Sequence, residues 1–248
     1  MNMRDTELIV FDVDGTLTEP KQPLDADMAK LLTELLARRM VAIISGASFS
    51  QLESQLLRRF SPRAPLKRLS LLPTSAACFY RFEGGWREVY REVLTEEEAL
   101  RIRRAFAVAL SAVAFEEPDE LFGEQIEYRG TQVTFSALGQ EAPLHLKRAW
   151  DPDAKKRLAI AARLTPLLPD FLIGVAGATS IDVTRAGIDK AHGINQLAKR
   201  LGVPKEKILF VGDAIFPGGN DYPVVSTGIK YISVASPRET RALIRSFL

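Results

Sequence analysis

Short apolar runs that end in acidic, glycine or hydroxyl residues constrain the fold of this chain more than any other feature. The runs at residues 8–11, 41–44 and 208–211 end at Asp12, Ser45-Gly46 and Gly212-Asp213. Uninterrupted apolar runs of this length are typical of parallel strands that are buried on both faces. Helical patterns of leucines follow the first two runs, so the chain opens as βαβα. This order predicts the α/β class, with a Rossmann-like, doubly wound parallel sheet.

The middle of the chain follows a different pattern. Thr95 and Glu98 form a capping box that opens a helix, and a further helix is predicted at about residues 153–168. Strands are predicted at residues 125–128, 132–136, 171–175 and 180–184, and residues 86–90 are grouped with them. We therefore predict an inserted α+β cap domain at residues 83–186, with helices on one side of its sheet. The core domain is predicted at residues 1–82 and 187–248.

The polar residues at the strand ends carry the predicted chemistry. Ligands of an open parallel sheet bind at the carboxyl ends of its strands, so these residues are expected to share one crevice. Asp12 can attack phosphorus to form an aspartyl-phosphate. Asp14 can donate a proton to the leaving group and later accept one from the incoming nucleophile.

Three further residues can bind the phosphoryl group. Ser45, with Gly46 beside it, and Lys190 can hold phosphoryl oxygens. Lys190 can also neutralise the charge that develops in the transition state. We therefore predict Asp12, Asp14, Ser45 and Lys190 as catalytic residues and Gly46 as a substrate-binding residue.

A metal ion is predicted because a carboxylate must approach an anionic phosphate. Mg²⁺ prefers oxygen ligands and offsets this repulsion. The predicted ligands are Asp12, Asp14, Asp213 and Asp221. For Asp221 the sequence leaves two alternatives open, because its carboxylate can bind the metal or can orient Lys190 or a water.

Four segments resemble the motifs of the haloacid dehalogenase (HAD) superfamily. Residues 11–18, with the sequence FDVDGTLT, resemble motif I. Ser45, Lys190 and the segment from Asp213 to Asp221 are similar to motifs II, III and IV, in the same order. On these four motifs the chain is identified as a member of the superfamily, which implies the Rossmann-like HAD core.

The resemblance narrows to the eukaryotic-type phosphomannomutases, which carry a type IIB cap. Residues 216–221 (FPGGND), 126–130 (IEYRG) and 180–183 (SIDV) are similar to that family's PGGND, IEFRNG and SFDVF segments. The resemblance implies that Arg129, Ser180 and Asp182 contact a sugar phosphate from the cap. It also implies a homodimer formed through the caps.

Three positions depart from the mutase pattern and bear on the reaction. Lys21, Gln140 and Lys147 stand where the family has arginines, and Gln140 and Lys147 are included among the implied substrate-binding residues. A mutase binds phosphate at two places, and losing a bidentate guanidinium weakens the second place. Our leading expectation is therefore a Mg²⁺-dependent phosphatase that acts on a sugar phosphate. The alternative is a phosphomannomutase or phosphoglucomutase that moves phosphate between C1 and C6, and a non-catalytic phosphosugar-binding protein is a remote third.

Charge and cysteine content exclude several other classes. The 33 basic and 31 acidic side chains nearly cancel, so we expect neither a nucleic-acid partner nor a membrane partner. Cys78 is the only cysteine, which excludes an internal disulfide and a cysteine-based zinc cluster. No signal-peptide pattern opens the chain, and a cytoplasmic location is expected.

Overall fold

The computed structural model describes residues 5–248, which form two compact units. The first unit comprises the chain up to Arg91 together with Asp189–Leu248, and the second is Glu92–Ile188. No helix within residues 5–248 combines the length and apolar character needed to cross a bilayer.

A seven-stranded sheet forms the centre of the first unit. Its strands are β1 (Leu8–Phe11), β2 (Met40–Ile44), β3 (Leu69–Leu72), β4 (Cys78–Phe82), β5 (Trp86–Arg91), β10 (Ile208–Gly212) and β11 (Lys230–Ser233). They are arranged in the order β11-β10-β1-β2-β3-β4-β5, in which the first five are parallel and the last two antiparallel. Every residue of β1, β3 and β10 is buried, and for β1 and β10 this agrees with the apolar runs at residues 8–11 and 208–211. The predicted α/β fold with a parallel-dominated sheet is confirmed.

Side chains cap the starts of three of the five α-helices described in this unit. The five helices are α1 (Ala26–Arg38), α2 (Phe49–Gln55), the single turn α3 (Pro73–Ala76), α7 (Lys190–Leu201) and α8 (Pro237–Phe247). The three capped helices are α1, α2 and α7. The Asp25 carboxylate accepts from the Met28 N–H at 2.9 Å at the start of α1. Ser48 and Gln51 form a reciprocal capping box at the start of α2.

The boundary between the units differs from the predicted one. The sequence pattern predicts residues 86–90 as part of the cap, whereas β5 pairs antiparallel with β4 and so extends the core sheet. The first break therefore follows Arg91 and the second follows Ile188, not residues 82 and 186. Alternation along a strand is a local property and does not specify which sheet the strand joins.

The second unit is a four-stranded antiparallel sheet with helices. Its elements are α4 (Glu96–Ala112), β6 (Ile126–Tyr128), β7 (Val133–Ser136), α5 (Leu144–Trp150), α6 (Lys155–Leu164), β8 (Phe171–Ala176) and β9 (Ser180–Arg185). The sheet order is β6-β7-β9-β8. Apolar residues of α4 and α6 pack with Phe135, Ile181 and Val183 in one core. Helix α5 was not predicted, and α6 ends at Leu164, earlier than the predicted residue 168.

An ion pair at the start of α4 leads to a prediction about acid stability. Glu98 accepts from the Thr95 N–H at 2.6 Å and pairs with Arg185 of β9 at 2.7 Å. The hydrogen bond from Arg185 lowers the pKa of Glu98 from 4.5 to about 2. A carboxyl group with a depressed folded-state pKa stabilises the fold above its unfolded-state pKa, and this contribution is lost as pH falls towards the folded-state value.

We expect Glu98→Gln to lower the free energy of unfolding by about 1 kcal/mol at pH 7. The difference from wild type should shrink as pH falls from about 4.5 towards 2. Urea titrations at several pH values measure it, with Glu97→Gln in the same helical turn as the matched control. A difference that stays constant over this range would contradict the assignment.

Candidate active site

The carboxyl ends of three adjacent strands place polar residues at one edge of the core sheet. β1 pairs in parallel with β2 and with β10, and Asp12, Ser45 and Asp213 directly follow these three strands. The Asp12 N–H donates to the Val211 carbonyl at 3.0 Å, which continues the pairing beyond β1. Parallel register thus produces the convergence that the sequence predicts.

The loop after Asp12 turns sharply at Gly15. Gly15 has a φ of +85°, and its N–H donates to the Thr18 carbonyl at 2.8 Å. A Cβ atom at Gly15 would lie 2.4 Å from Asp213 Oδ2. Only glycine therefore allows the loop to pass this close to the second acidic segment.

Lys190 lies between two buried carboxylates. It is the first residue of α7, where Asp189 caps the helix by accepting from the His192 N–H at 2.9 Å. The Lys190 Nζ donates to Asp12 Oδ1 at 2.5 Å and to Asp221 Oδ1. Burial lowers the pKa of Lys190, but the two carboxylates outweigh burial and raise it, so the amine stays protonated.

Asp12, Asp213 and Asp221 form an acidic triad. Each offers a carboxylate oxygen, and these oxygens lie within 4.8 Å of one another. Burial raises the pKa of Asp12 to about 8 against the opposing effect of Lys190, and burial together with Asp221 also raises the pKa of Asp213. Three clustered carboxylates disfavour ionisation of one another, and a divalent cation with oxygen ligands relieves this repulsion. The donor set therefore fits a hard divalent cation.

The sequence leaves open whether Asp221 binds the metal or orients Lys190 or a water, and the contacts of its side chain favour one of these roles. Its side chain is fully buried; Oδ1 accepts from Lys190 and Oδ2 accepts from the Ala214 N–H at 3.0 Å. A Cβ atom on Gly212 would lie 2.3 Å from Asp221 Oδ2, so this glycine makes room for the carboxylate. Both oxygens are engaged by protein donors, which favours orientation of Lys190 over metal ligation.

Asp14 lies outside the triad, although the sequence predicts it as a fourth metal ligand. Its Oδ1 accepts from the Lys21 N–H at 2.7 Å and from Gln55 Nε2 at 3.1 Å. β1 ends at Phe11 and Asp14 forms an isolated bridge with Thr18, so the regular strand alternation that would point the two aspartates the same way does not extend to Asp14.

Gln55 is a residue of this site that the sequence did not indicate. Besides Asp14, its Nε2 lies 3.2 Å from Thr18 Oγ1 and 3.1 Å from the Gln22 carbonyl. It stands at the end of α2, about 40 positions from Asp14, and no local pattern links the two segments.

A left-handed turn holds the loop that contains Ser45. Thr74, Ser75 and Ala76 all have positive φ values, of 48°, 55° and 71°. The Ser75 N–H donates to the Ser45 carbonyl at 2.8 Å, and the Thr74 N–H donates to the Ala47 carbonyl at 2.9 Å. Non-glycine residues reach this conformation at a cost of about 1–2 kcal/mol each, so the surrounding contacts must compensate for it.

Gly193 allows α7 to approach this turn, which leads to a second prediction. A Cβ atom at Gly193 would lie 2.7 Å from the Ala76 Cβ and 2.9 Å from Ile44 Cδ1. In open space, Gly→Ala in a helix stabilises by about 1 kcal/mol. Because the Ala76 Cβ is fixed to the backbone and Ile44 is fully buried, we expect Gly193→Ala instead to lower the free energy of unfolding by about 1–3 kcal/mol.

Urea unfolding of Gly193→Ala measures this effect. Asn195→Ala, at an exposed position of α7, is the matched control and should be neutral or slightly stabilising. An increase in the stability of Gly193→Ala would show that the packing of α7 is looser than described.

The residues predicted to bind substrate from the second unit form two groups. In the first, Arg129 donates to Glu127 Oε2 and lies 3.2 Å from Gln140 Oε1. The buried Lys147 Nζ donates to the Gln140 carbonyl at 2.7 Å. Gln140 Nε2 is buried and has no hydrogen-bond partner within residues 5–248.

The second group lies on one face of the cap sheet. Ser180 and Asp182 alternate along β9 with the apolar Ile181 and Val183, which face the core of this unit. Asp182 Oδ1 accepts from Thr134 Oγ1 of the neighbouring strand at 2.8 Å. The structure thus pairs Arg129 with Gln140 and orders Asp182 through Thr134, a residue that the sequence did not single out.

A family comparison agrees with this site. The sequence model described as haloacid dehalogenase-like hydrolase matches residues 6–217, which include Asp12, Ser45, Lys190 and Asp213. The chain belongs to this family. It is a phosphoryl-transfer enzyme of the HAD superfamily, as the order of its motifs predicts.

Curated relatives that match nearly the whole length of this HAD enzyme are phosphomannomutases. Phosphomannomutase 2 of Dictyostelium discoideum is 24% identical, and the match covers 100% of this chain and 98% of the relative. The phosphomannomutase of Saccharomyces cerevisiae is 25% identical, with 94% and 91% covered. The HAD enzyme is therefore phosphomannomutase-like in its cap as well as in its core.

Solved structures share the fold of this HAD enzyme. The IMP-bound, N-terminally truncated IMP-nucleotidase of Plasmodium falciparum is 17% identical, with a TM-score of 0.74 over 97% of this chain and 68% of that one. A trehalose-6-phosphate phosphatase related protein is 16% identical, with a TM-score of 0.57 over 97% and 96%. At this level of identity the likeness concerns the fold alone.

Proposed function

We propose that this enzyme is a phosphohexomutase, which moves a phosphoryl group between two hydroxyls of a hexose. The full-length similarity to phosphomannomutases, which includes the cap, is the observation that carries the proposal. This similarity favours the mutase reaction, which is the alternative expectation from the sequence, over the phosphatase reaction, which is the leading one.

The reaction would proceed through an aspartyl-phosphate on Asp12. An oxygen of Asp12 attacks phosphorus, the bond from phosphorus to the sugar oxygen breaks, and Asp14 donates a proton to that oxygen. In the mutase cycle the sugar attacked in this first step is a hexose bisphosphate, which leaves as a hexose monophosphate. The free hydroxyl of a hexose monophosphate then attacks the phosphorus on Asp12 and gives its proton to Asp14, which frees the Asp12 carboxylate and forms the bisphosphate again. Lys190 supports both steps because its contact with Asp12 Oδ1 keeps the carboxylate in place and offsets negative charge.

Mg²⁺ would be held by Asp12 and Asp213. Both belong to the acidic triad, and Asp213, unlike Asp221, is not in contact with Lys190. When bound, the ion supplies charge neutralisation at the phosphoryl oxygens. Asp221 would act through Lys190, whose amine it holds towards Asp12.

Arg129 would bind an anionic or hydroxyl group of the sugar phosphate from the cap. We expect Arg129→Ala to raise KM more than it lowers kcat, because a contact that is equal in ground and transition states affects binding alone. Steady-state kinetics with a hexose phosphate test this, with Arg103→Ala, at an exposed position of α4, as the matched control. Unchanged KM in a folded Arg129→Ala variant would remove Arg129 from the site.

Phosphomonoester hydrolysis is a second candidate, and Gln140 is the observation that favours it. This position is an arginine in the mutase pattern, whereas here a neutral amide touches Arg129 at 3.2 Å. A weaker second phosphate site shortens the stay of a bisphosphate intermediate and gives water more opportunity to attack the aspartyl-phosphate.

One assay separates the candidates. The protein is incubated with Mg²⁺ and mannose 1-phosphate or glucose 1-phosphate, with and without a hexose 1,6-bisphosphate, and followed by ³¹P NMR. Formation of the 6-phosphate without phosphate release supports the mutase, and free inorganic phosphate supports the phosphatase. Binding without turnover of any substrate would support the remote alternative, a non-catalytic phosphosugar-binding protein.

A further inference from the structure

A basic cavity lies at the amino-terminal edge of the core sheet. It has a volume of about 450 Å³, within the usual range for small-molecule sites. Five cationic side chains line it: Arg38, Arg39, Lys67, Arg68 and Arg81. One carboxylate, Glu7, also lines it.

The architecture of the sheet fixes these positions. Arg39 directly precedes β2, Arg68 directly precedes β3, and Arg81 of β4 pairs with Ser70 at the start of β3. Glu7 directly precedes β1, whereas Asp12 directly follows it. A four-residue strand spans about 13 Å, so the cavity and the acidic triad lie at opposite edges of the sheet.

Within the part of the chain that the structure describes, three of the five cations that line the cavity have no carboxylate partner. Glu7 is engaged by Lys207 Nζ at 2.5 Å, so it contributes little negative charge to the cavity. Within residues 5–248, Arg38, Lys67 and Arg81 form no ion pair. Grouping like charges around a cavity costs free energy, and an anion that binds there recovers it.

Part of this site is held in place by the fold. Arg68 donates to the Ala37 carbonyl at 2.8 Å, which fixes the guanidinium at the end of α1. The planar guanidinium group of arginine can donate two parallel hydrogen bonds to the oxygens of one phosphate. Met40 and Leu201 add apolar lining. A single phosphate carries a charge of about −1.5 to −2, so two or more phosphate groups match five cations better than one.

We propose that this cavity binds a small polyanion with at least two phosphate groups, separate from the catalytic site. The shared chemistry is a chain of phosphates, which inorganic polyphosphate and a nucleoside triphosphate both carry. The limited volume of the cavity and the near-zero net charge of the whole chain favour a small molecule over a nucleic acid.

Isothermal titration with sodium tripolyphosphate, and separately with ATP, tests the proposal in buffer that contains EDTA. We expect both to bind the wild type, and Lys67→Ala/Arg81→Ala to weaken binding at least tenfold. Tighter binding of ATP would identify the nucleotide as the better ligand, through contacts to the apolar lining. Lys230→Ala/Arg238→Ala removes the same two charges elsewhere on the core and should bind as the wild type does. Thermal unfolding of both double variants checks that they fold.

Three results would overturn the proposal. These are no binding to the wild type, wild-type binding by Lys67→Ala/Arg81→Ala, and an equal loss in the control variant. Stronger binding of a single-stranded 20-nucleotide RNA than of tripolyphosphate, measured by fluorescence anisotropy, would also overturn it.

Discussion

Asp12→Asn is expected to reduce turnover by at least about 10⁴-fold while the protein stays folded. The amide has almost the same shape as the carboxylate and keeps an oxygen that can accept from Lys190, which also retains Asp221. The amide cannot form the acyl-phosphate, so the two-step reaction through this intermediate cannot take place. The loss should be the same in a mutase assay and in a phosphatase assay, because both candidate reactions pass through this residue.

The measurement combines kinetics with detection of the intermediate. Acid quench of the wild type during turnover, followed by peptide mass spectrometry, should find one phosphoryl group on the peptide that contains Asp12. Asp119→Asn, at an exposed position, is the matched control and should retain both the rate and the phosphorylated peptide. A wild-type rate in Asp12→Asn would end the proposal of an aspartyl nucleophile.

Lys190→Met is expected to cause the second large effect, on stability as well as on activity. The substitution keeps the length of the side chain and removes the cation that contacts Asp12 and Asp221. Both carboxylates are buried, with Asp12 4% exposed and Asp221 0%. Breaking a buried ion pair by removing one partner costs about 3–5 kcal/mol, and we expect a loss of this size.

The loss of stability should depend on pH in a definite direction. Lys190 lowers the pKa of Asp12 in the wild type, so without it burial and the neighbouring carboxylates raise the pKa of Asp12 further above its unfolded-state value. A group with a raised folded-state pKa binds a proton more readily when folded, so its stabilising effect is present at low pH and is lost as pH rises. The stability difference between the wild type and Lys190→Met should therefore be larger at pH 8 than at pH 5.5.

Urea unfolding without metal, at the two pH values, tests this prediction. Lys199→Met, at an exposed position of the same helix, is the matched control and should leave stability nearly unchanged. A pH-independent difference for Lys190→Met would show that lost packing, not unpaired charge, causes the destabilisation.

The local pattern of the sequence determined several buried strands and one helix start. Apolar runs specified the strands β1, β2 and β10, and the capping box of Thr95 and Glu98 marked the start of α4. Because the carboxyl ends of parallel strands meet at one edge, the strand-end residues Asp12, Ser45 and Asp213 could be grouped before any coordinates were known. These features are local or follow from topology rules, so a single sequence carries them.

The tertiary structure alone decided which distant groups touch. Lys190 meets Asp12 across 178 positions, Gln55 meets Asp14 across 41, and β5 joins the core sheet instead of the cap. The turn after Asp12 separates Asp14 from the triad, and the basic cavity collects side chains from several elements at the opposite edge. Hydrogen bonds and charge pairs of this kind depend on how helices and strands pack against one another. The hydrophobic periodicity of the sequence does not predict that packing.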